Sequence, residues 1–278
     1  DYTINKDADI PIESLDQLSL KSYPLCMRNC HESFRKTHHL KYGGRLQYGL
    51  FLKGIGVTLE DSLRFWREEM TKVIEGDKFD KSYAYGIRYN YGKEGSRTNW
   101  SPYSCMKVIN TAPGGQDICG CPFKLSDPIE LRSKLAGYGL NATAIQDVVG
   151  YASKGHFQLA CGRYFEVVHE TKVDEGINHP NGYFENSQII MGTRQAKEKS
   201  KPTAKQSSYN QRKQQAMNKQ QDFKRKMEAR VKEEQDFEEE LWKLSQREEE
   251  ILEEWNAREE QTKREILEVS AMNWEDDL

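Results

Sequence analysis

Pro24 to Gly56 reads PLCMRNCHESFRKTHHLKYGGRLQYGLFLKGIG: a cysteine opens the most basic, histidine-rich run of the globular part, and this stretch decides how the rest is read. Three more cysteines stand far from it, Cys105 in SPYSCMK, Cys121 in GCPF and Cys161 in LACGRYF. Together with Cys26 they leave 78, 15 and 39 residues between successive thiols. Structural zinc sites draw ligands from close C-x2-4-C pairs, because a short knuckle preorganises two thiolates. Cys26-x3-Cys30 and Cys119-x-Cys121 resemble such pairs only loosely. Four cysteine thiolates are the usual ligand set of a 4Fe–4S cluster, and a Pro directly after a ligating Cys, as in Cys121-Pro122, recurs in such sites. Thiols so scattered would close long loops when they meet, coupling metal binding to folding. The competing reading makes them buried small apolar side chains.

Beside the first cysteine the chemistry suits phosphate. His38, His39, Lys41, Arg45 and Lys53 surround Tyr42, Gly43 and Gly44. Paired glycines let an anion approach backbone N–H groups at a helix start. Arg supplies a fork of donors and Lys a point charge, while Tyr42, Tyr83, Tyr85 and Trp66 offer faces on which bases stack. Each residue alone reads as an exposed cation or a core aromatic. Their concentration, next to a candidate metal centre, points to nucleic acid.

The whole chain has 278 residues, a net charge of -3 and a mean hydropathy of -0.87, too polar for one compact body throughout. No window approaches the roughly 18 apolar residues of a membrane span, and the start, DYTINKDADI, lacks the features of a signal peptide. A soluble cytosolic or nuclear protein is expected, a reducing setting in which six cysteines serve as ligands or free thiols. A start at Asp1 suggests a fragment of a longer polypeptide.

Composition shifts near residue 192. Residues 1–192 hold all six Cys and all six His, with 23 basic and 23 acidic residues. Residues 193–232 carry 13 basic and 3 acidic residues and 233–278 carry 5 and 18, a strongly dipolar tail. Residues 193–210 read as a basic flexible linker. Residues 211–278 read as a charged, largely solvated helical tail with an acidic end, laced by Glu-to-Lys or Glu-to-Arg pairs four apart such as Glu239 and Lys243. Phe237, Leu241, Leu244, Ile251 and Trp255 have seam spacing, but the same register puts Glu248, Arg258 and Glu265 there, which disfavours a continuous coiled coil. The tail's partner is left open.

Residues 1–192 read as mainly helical. Thr58 caps TLEDSLRFWREEM with Asp61 at the capping-box position, and further helices are expected at 128–135, 142–151 and 156–170. Residues 81–100, SYAYGIRYNYGKEGSRTNW after Lys81, alternate aromatics with small and polar residues and suggest a β-hairpin or extended aromatic platform.

The 24–66 run, with FDKSYAYGIRYNYGKEGSRTNWSPYSC, GCPF, GHFQLACGRYFE and INHPNGYFENSQ, resembles the C-terminal iron–sulfur domain of the large, regulatory subunit of eukaryotic-type DNA primase over residues 1–192. The resemblance implies a mainly helical, two-lobed fold with a 4Fe–4S cluster held by Cys26, Cys105, Cys121 and Cys161, leaving Cys30 and Cys119 as non-ligands. It implies a surface that grips the 5′-triphosphate end of the RNA primer together with the template 3′ overhang. The binding residues it carries over are His39, Arg45, Lys53, Trp66, Tyr83, Tyr85 and Arg88. Lys41, Tyr42 and Gly86 depart from the expected Arg, His and Asn, although Lys41 keeps its charge and Tyr42 can still stack. It implies a nuclear, non-catalytic role beside a catalytic small subunit and the DNA polymerase alpha complex. An iron–sulfur DNA-processing enzyme, such as a glycosylase or nuclease, and a zinc-stabilised interaction module are the alternatives.

Overall fold

A computed structural model describes residues 10–172 and 176–193 and, beyond them, Lys243, Gln246, Arg247, Ala257, Arg258 and Gln261. Twelve α-helices are described: α1 Leu15–Lys21, α2 Leu25–Thr37, α3 Tyr42–Ile55, α4 Leu59–Met70, α5 Gly76–Ser82 and α6 Ala84–Asn90 in the first half. The second half has α7 Cys105–Asn110, α8 Pro122–Leu125, α9 Pro128–Gly137, α10 Ala142–Ser153, α11 Phe157–Val168 and α12 Pro180–Ile190. They belong to a unit spanning Asp1–Ala196, and Lys197–Leu278 form a second. The linker expected over 193–210 lies outside the described residues except for Thr193. So does the expected tail helix, save for the six positions just named, each helical and exposed.

The helix boundaries follow from local chemistry. Thr58 accepts the Asp61 N–H at 3.1 Å to start α4, Asp127 accepts the Ile129 N–H at 2.8 Å ahead of Pro128 for α9, and Asn141 accepts the Ala144 N–H at 2.9 Å for α10. α3 ends at Gly56 with φ 116°, a left-handed cap that glycine adopts without a Cβ penalty. α2 ends at His38, φ 57°, a non-glycine residue in the same region.

The apolar pattern then sets the packing. α3 is buried along most of its length and lies against α2, α4, α6 and α12. Tyr23, Tyr48, Phe51 and Phe184 meet edge to face around it at centroid separations of 4.8–6.4 Å. Phe34, Phe65 and Trp66 form the adjoining cluster between α2 and α4. α10 and α11 pair as a hairpin, with α8 and α9 against α10.

One expectation is overturned. Residues 81–100 hold no strand: α5 runs through Ser82, Ala84–Asn90 is α6, and turns and irregular chain follow to Trp100. The aromatic alternation is satisfied at helical spacing instead, since Tyr85 stacks on Tyr89 four residues later (6.3 Å, 26°) and Tyr89 on Trp100 (6.2 Å, 19°). Strand preference of aromatics reflects packing on a half-buried surface, and a helix lying on α3 and α4 provides such a surface. Among the described residues there is no strand, and no helix is long and apolar enough to cross a membrane.

Candidate metal centre and nucleic-acid interface

Cys26, Cys105, Cys121 and Cys161 come from four different helices or their caps and line one small pocket. Three of them stand at helix starts. Cys26 is the second residue of α2, Cys105 the first of α7 behind the Ser104 cap, and Cys121 the N-cap of α8. The partial positive charge of a helix start favours a thiolate there. Cys161 projects from within α11. The Cys105 N–H donates to the Asn178 carbonyl at 3.0 Å, which ties α7 to the segment entering α12.

The rest of the lining is apolar apart from Gln158, with Val108, Ile109, Phe123, Phe157 and Ile177 among it. Burial pushes every one of the four thiols up, Cys105 to about 12, and mutual repulsion adds to this at Cys26, Cys105 and Cys161. At Cys121 burial is opposed by the backbone N–H groups of Phe123 and Lys124 and by the Lys124 ammonium. Four sulfur donors in an apolar pocket lined by no carboxylate or imidazole form a soft ligand set, and the residues fit a cluster with four cysteine ligands. Among the described residues no three His, Cys, Asp or Glu side chains are close enough to share a single metal ion. Cys30 and Cys119 do not line the pocket: the Cys30 thiol donates to the Ile118 carbonyl at 3.3 Å, and Cys119 lies against Gly43.

Three of the candidate nucleic-acid residues, His39, Arg45 and Tyr83, meet beyond the other end of α2. His39 Nε2 lies 3.3 Å from the Tyr83 hydroxyl, and the Arg45 guanidinium sits 4.8 Å above the Tyr83 ring. Burial, and after it the charges of Arg45 and Lys41, push His39 down to about 4, while Asp117 opposes them. The neutral imidazole therefore stands in a cationic field. Lys41 is exposed and its ammonium reaches the Gly115 carbonyl at 3.1 Å, while Tyr42, half-buried, begins α3. Tyr85 and Arg88 are half-buried on α6, with Arg88 Nε donating to Glu94 at 2.7 Å.

Three of the candidates are buried in the fold, and Tyr83, 4% exposed, offers no free ring face for a base here. Trp66 is 2% exposed, its ring 4.5 Å from that of Phe34, so no base can stack on it here. Lys53 is 5% exposed and its ammonium donates to the carbonyls of Asn90 (2.5 Å) and Trp100 (2.6 Å), stapling the α6 segment to α3. Burial lowers it to about 8.

The paired glycines also act differently from the expectation. The N–H groups of Gly43 and Gly44 donate to the two carboxylate oxygens of Asp117, at 2.8 and 3.0 Å. A Cβ on Gly44 would stand 2.7 Å from the Ile118 carbonyl oxygen, and one on Gly43 2.6 Å from Asp117. The glycines admit a loop of the chain itself, and a phosphate on this face must be held by side chains. Asp117 lies more than 70 residues from its partners, and no local pattern marks it. Gln47 escapes sequence reasoning for the same reason: buried on α3, it accepts the Gly120 N–H at 2.8 Å and fixes the approach to Cys121. Glu69, 2% exposed, binds His38 at 2.6 Å, Lys72 at 2.9 Å and also Arg35, and so holds the turn that presents His39.

Comparison with known proteins gives this geometry a family. Residues 16–184 match the C-terminal domain of the large subunit of eukaryotic and archaeal DNA primase. The DNA primase large subunit of Drosophila melanogaster is 59% identical over 195 residues, covering 70% of this chain and 37% of that protein. The human DNA primase large subunit is 48% identical over 187 residues, 66% of this chain and 36% of that protein, and that of the mouse 47% over 197. The chain spans under half the length of these curated relatives. With 169 consecutive residues of the helical unit matching, this chain belongs to the DNA primase large-subunit family.

Proposed function

We propose that this chain is the primer- and template-binding part of a DNA primase large subunit, a non-catalytic element whose partner small subunit makes the phosphodiester bonds. Cys26, Cys105, Cys121 and Cys161 would hold a 4Fe–4S cluster, which when bound supplies an inorganic joint between α2, α7, α8 and α11. His39, Lys41, Tyr42 and Arg45, with Tyr83, Tyr85 and Arg88, form the face for the 5′-triphosphate of the primer and the template 3′ overhang. Through the full-length protein it would act with the catalytic small subunit and the DNA polymerase alpha complex in the nucleus.

The observation that carries this reading is the meeting of His39, Arg45 and Tyr83, two nitrogen-rich side chains on one aromatic ring, at the far end of the helix that begins beside Cys26. Arg45 keeps one guanidinium nitrogen on the Leu40 carbonyl (2.8 Å), and that bond aims the group. A guanidinium's planar fork of donors matches phosphate geometry. The test is a salt titration of binding to a primer–template junction bearing either a 5′-triphosphate or a 5′-hydroxyl. The triphosphate end is expected to bind more tightly, with a steeper salt dependence. Arg45→Ala should reduce its affinity about tenfold and the salt slope by about one. Equal affinities for the two ends would remove the triphosphate assignment.

A further inference from the structure

Tyr183 is a phenol in the core whose hydroxyl has no bond to make. It is 1% exposed, and among the described residues no donor or acceptor reaches its oxygen. Leaving a buried hydroxyl unpaired is unfavourable, and an apolar ring of the same shape would avoid the cost. His169, whose ring centroid lies 6.2 Å away, also leaves Nε2 unpaired, so these two polar groups do not satisfy each other.

The location of the phenol indicates what would satisfy it. On α12, Pro180 lines the thiol cavity and Tyr183 follows three residues later on the same face. On α11, Cys161 lines the cavity, and the rings that hold Tyr183 belong to the residues three and four further on. Tyr164 stacks on it at 6.4 Å and 26°, and Phe165 meets it edge-on at 4.7 Å and 86°. Tyr183 thus stands between the two helices that supply neighbouring walls of the cavity. Cys161 and Cys26 are the ligand candidates near enough to act on it electrostatically, and a phenol keeps its proton at neutral pH and can donate. Protonated thiols accept weakly, whereas thiolates that have given up their protons to bind iron accept well.

We propose that Tyr183 donates a hydrogen bond to the sulfur of Cys161 or Cys26 when the four cysteines hold their cluster, and thereby sets the cluster's reduction potential. The inference rests on the reading of those cysteines as 4Fe–4S ligands. A donor at a ligand sulfur draws off negative charge, and the reduced centre carries one more negative charge than the oxidised one. The bond therefore stabilises the reduced form and raises the potential.

The experiment uses the full chain, wild type and Tyr183→Phe, purified without oxygen. Iron and sulfide are quantified first, and the potential is then measured by voltammetry with an electrode supplying and taking the single electron. The Phe variant is expected to retain iron and sulfide while its potential falls, with the reduction equilibrium shifting about tenfold, or about 59 mV for one electron. A shift below about threefold (about 28 mV) with iron and sulfide unchanged overturns the inference. Should the variant not load, resonance Raman spectra of wild type assembled in H₂O and in D₂O decide. An isotope shift in an Fe–S(Cys) stretch is expected, and its absence overturns the proposal. Wild-type protein without iron and sulfide would overturn the ligand reading itself, and this inference with it.

Discussion

The thiol cavity and the cationic face are built on opposite logics. In the cavity, residues that are far apart in sequence converge in a largely apolar space whose polar lining, apart from Gln158, is the four thiols. On the face, residues near each other in sequence, His39 to Arg45, are presented by one turn and one helix start, and most charges already have partners within the chain. The cavity would derive its order from what it binds. The face is preorganised by Glu69 below it and Asp117 beside it before any ligand arrives. Preorganisation lowers the ordering cost of binding and leaves specificity to a few aimed donors.

The strongest way to break this contrast is to remove cavity ligands. Replacing Cys26, Cys105, Cys121 or Cys161 by Ser should abolish stoichiometric iron and sulfide and lower the unfolding midpoint by about 10 °C or more, because metal binding and folding are coupled. Cys30→Ser and Cys119→Ser should leave the iron content unchanged. Iron and sulfide quantification and thermal unfolding of the six variants would check this. Iron retained in any of the first four variants would remove that residue from the ligand set.

A smaller effect is expected where the two regions are joined. Gly44→Ala places a methyl against the Ile118 carbonyl and should cost about 1–3 kcal/mol of stability by urea unfolding. Because Ile118 lies three residues before Cys121, the same substitution should also slow cluster assembly. If the variant loads iron at the wild-type rate, the loop does not couple the regions.

A pH dependence supplies one reporter in each region. His39 on the face and His179, beside the cavity-lining Pro180, are both pushed down to about 4, chiefly by burial, from an ordinary value of 6.5. Between pH 6.5 and 4 the unfolded chain binds protons that the folded chain refuses, so stability must decrease as pH falls through that window. His39→Asn and His179→Asn should each flatten the decline, measured by circular dichroism melts across pH 4–7. The variant that flattens it more identifies the region that yields first to acid.

Much of the helical scaffold was legible in the sequence because its signals are local. Thr58, Asp127-Pro128 and Asn141 announce helix starts by their own side chains, and the structure places α4, α9 and α10 behind them. The same holds for the gathering of His39, Lys41 and Arg45. Residues 81–100 misled because tyrosines that alternate along an extended strand can also stack four apart on a helix, and packing on α3 decided between the two. Trp66 and Lys53 could not be assigned from type alone, since burial decides whether an aromatic or a cation faces solvent. Asp117, Gln47 and Tyr183 act through partners in distant helices, and only the fold brings those partners together.

α2 has a consequence of its own. Cys26 stands in its first turn and His38, bound to Glu69, closes its last, so that about 18 Å of inextensible backbone separates the thiol pocket from the turn at His38 and His39. Such a rod accepts new side chains along its outer edge but no change of length. One inserted residue would swivel its ends by about 100° relative to each other, withdrawing either the thiol or the imidazole from its place. The helix works as a ruler, and its thirteen residues are a dimension of the site as much as a stretch of scaffold.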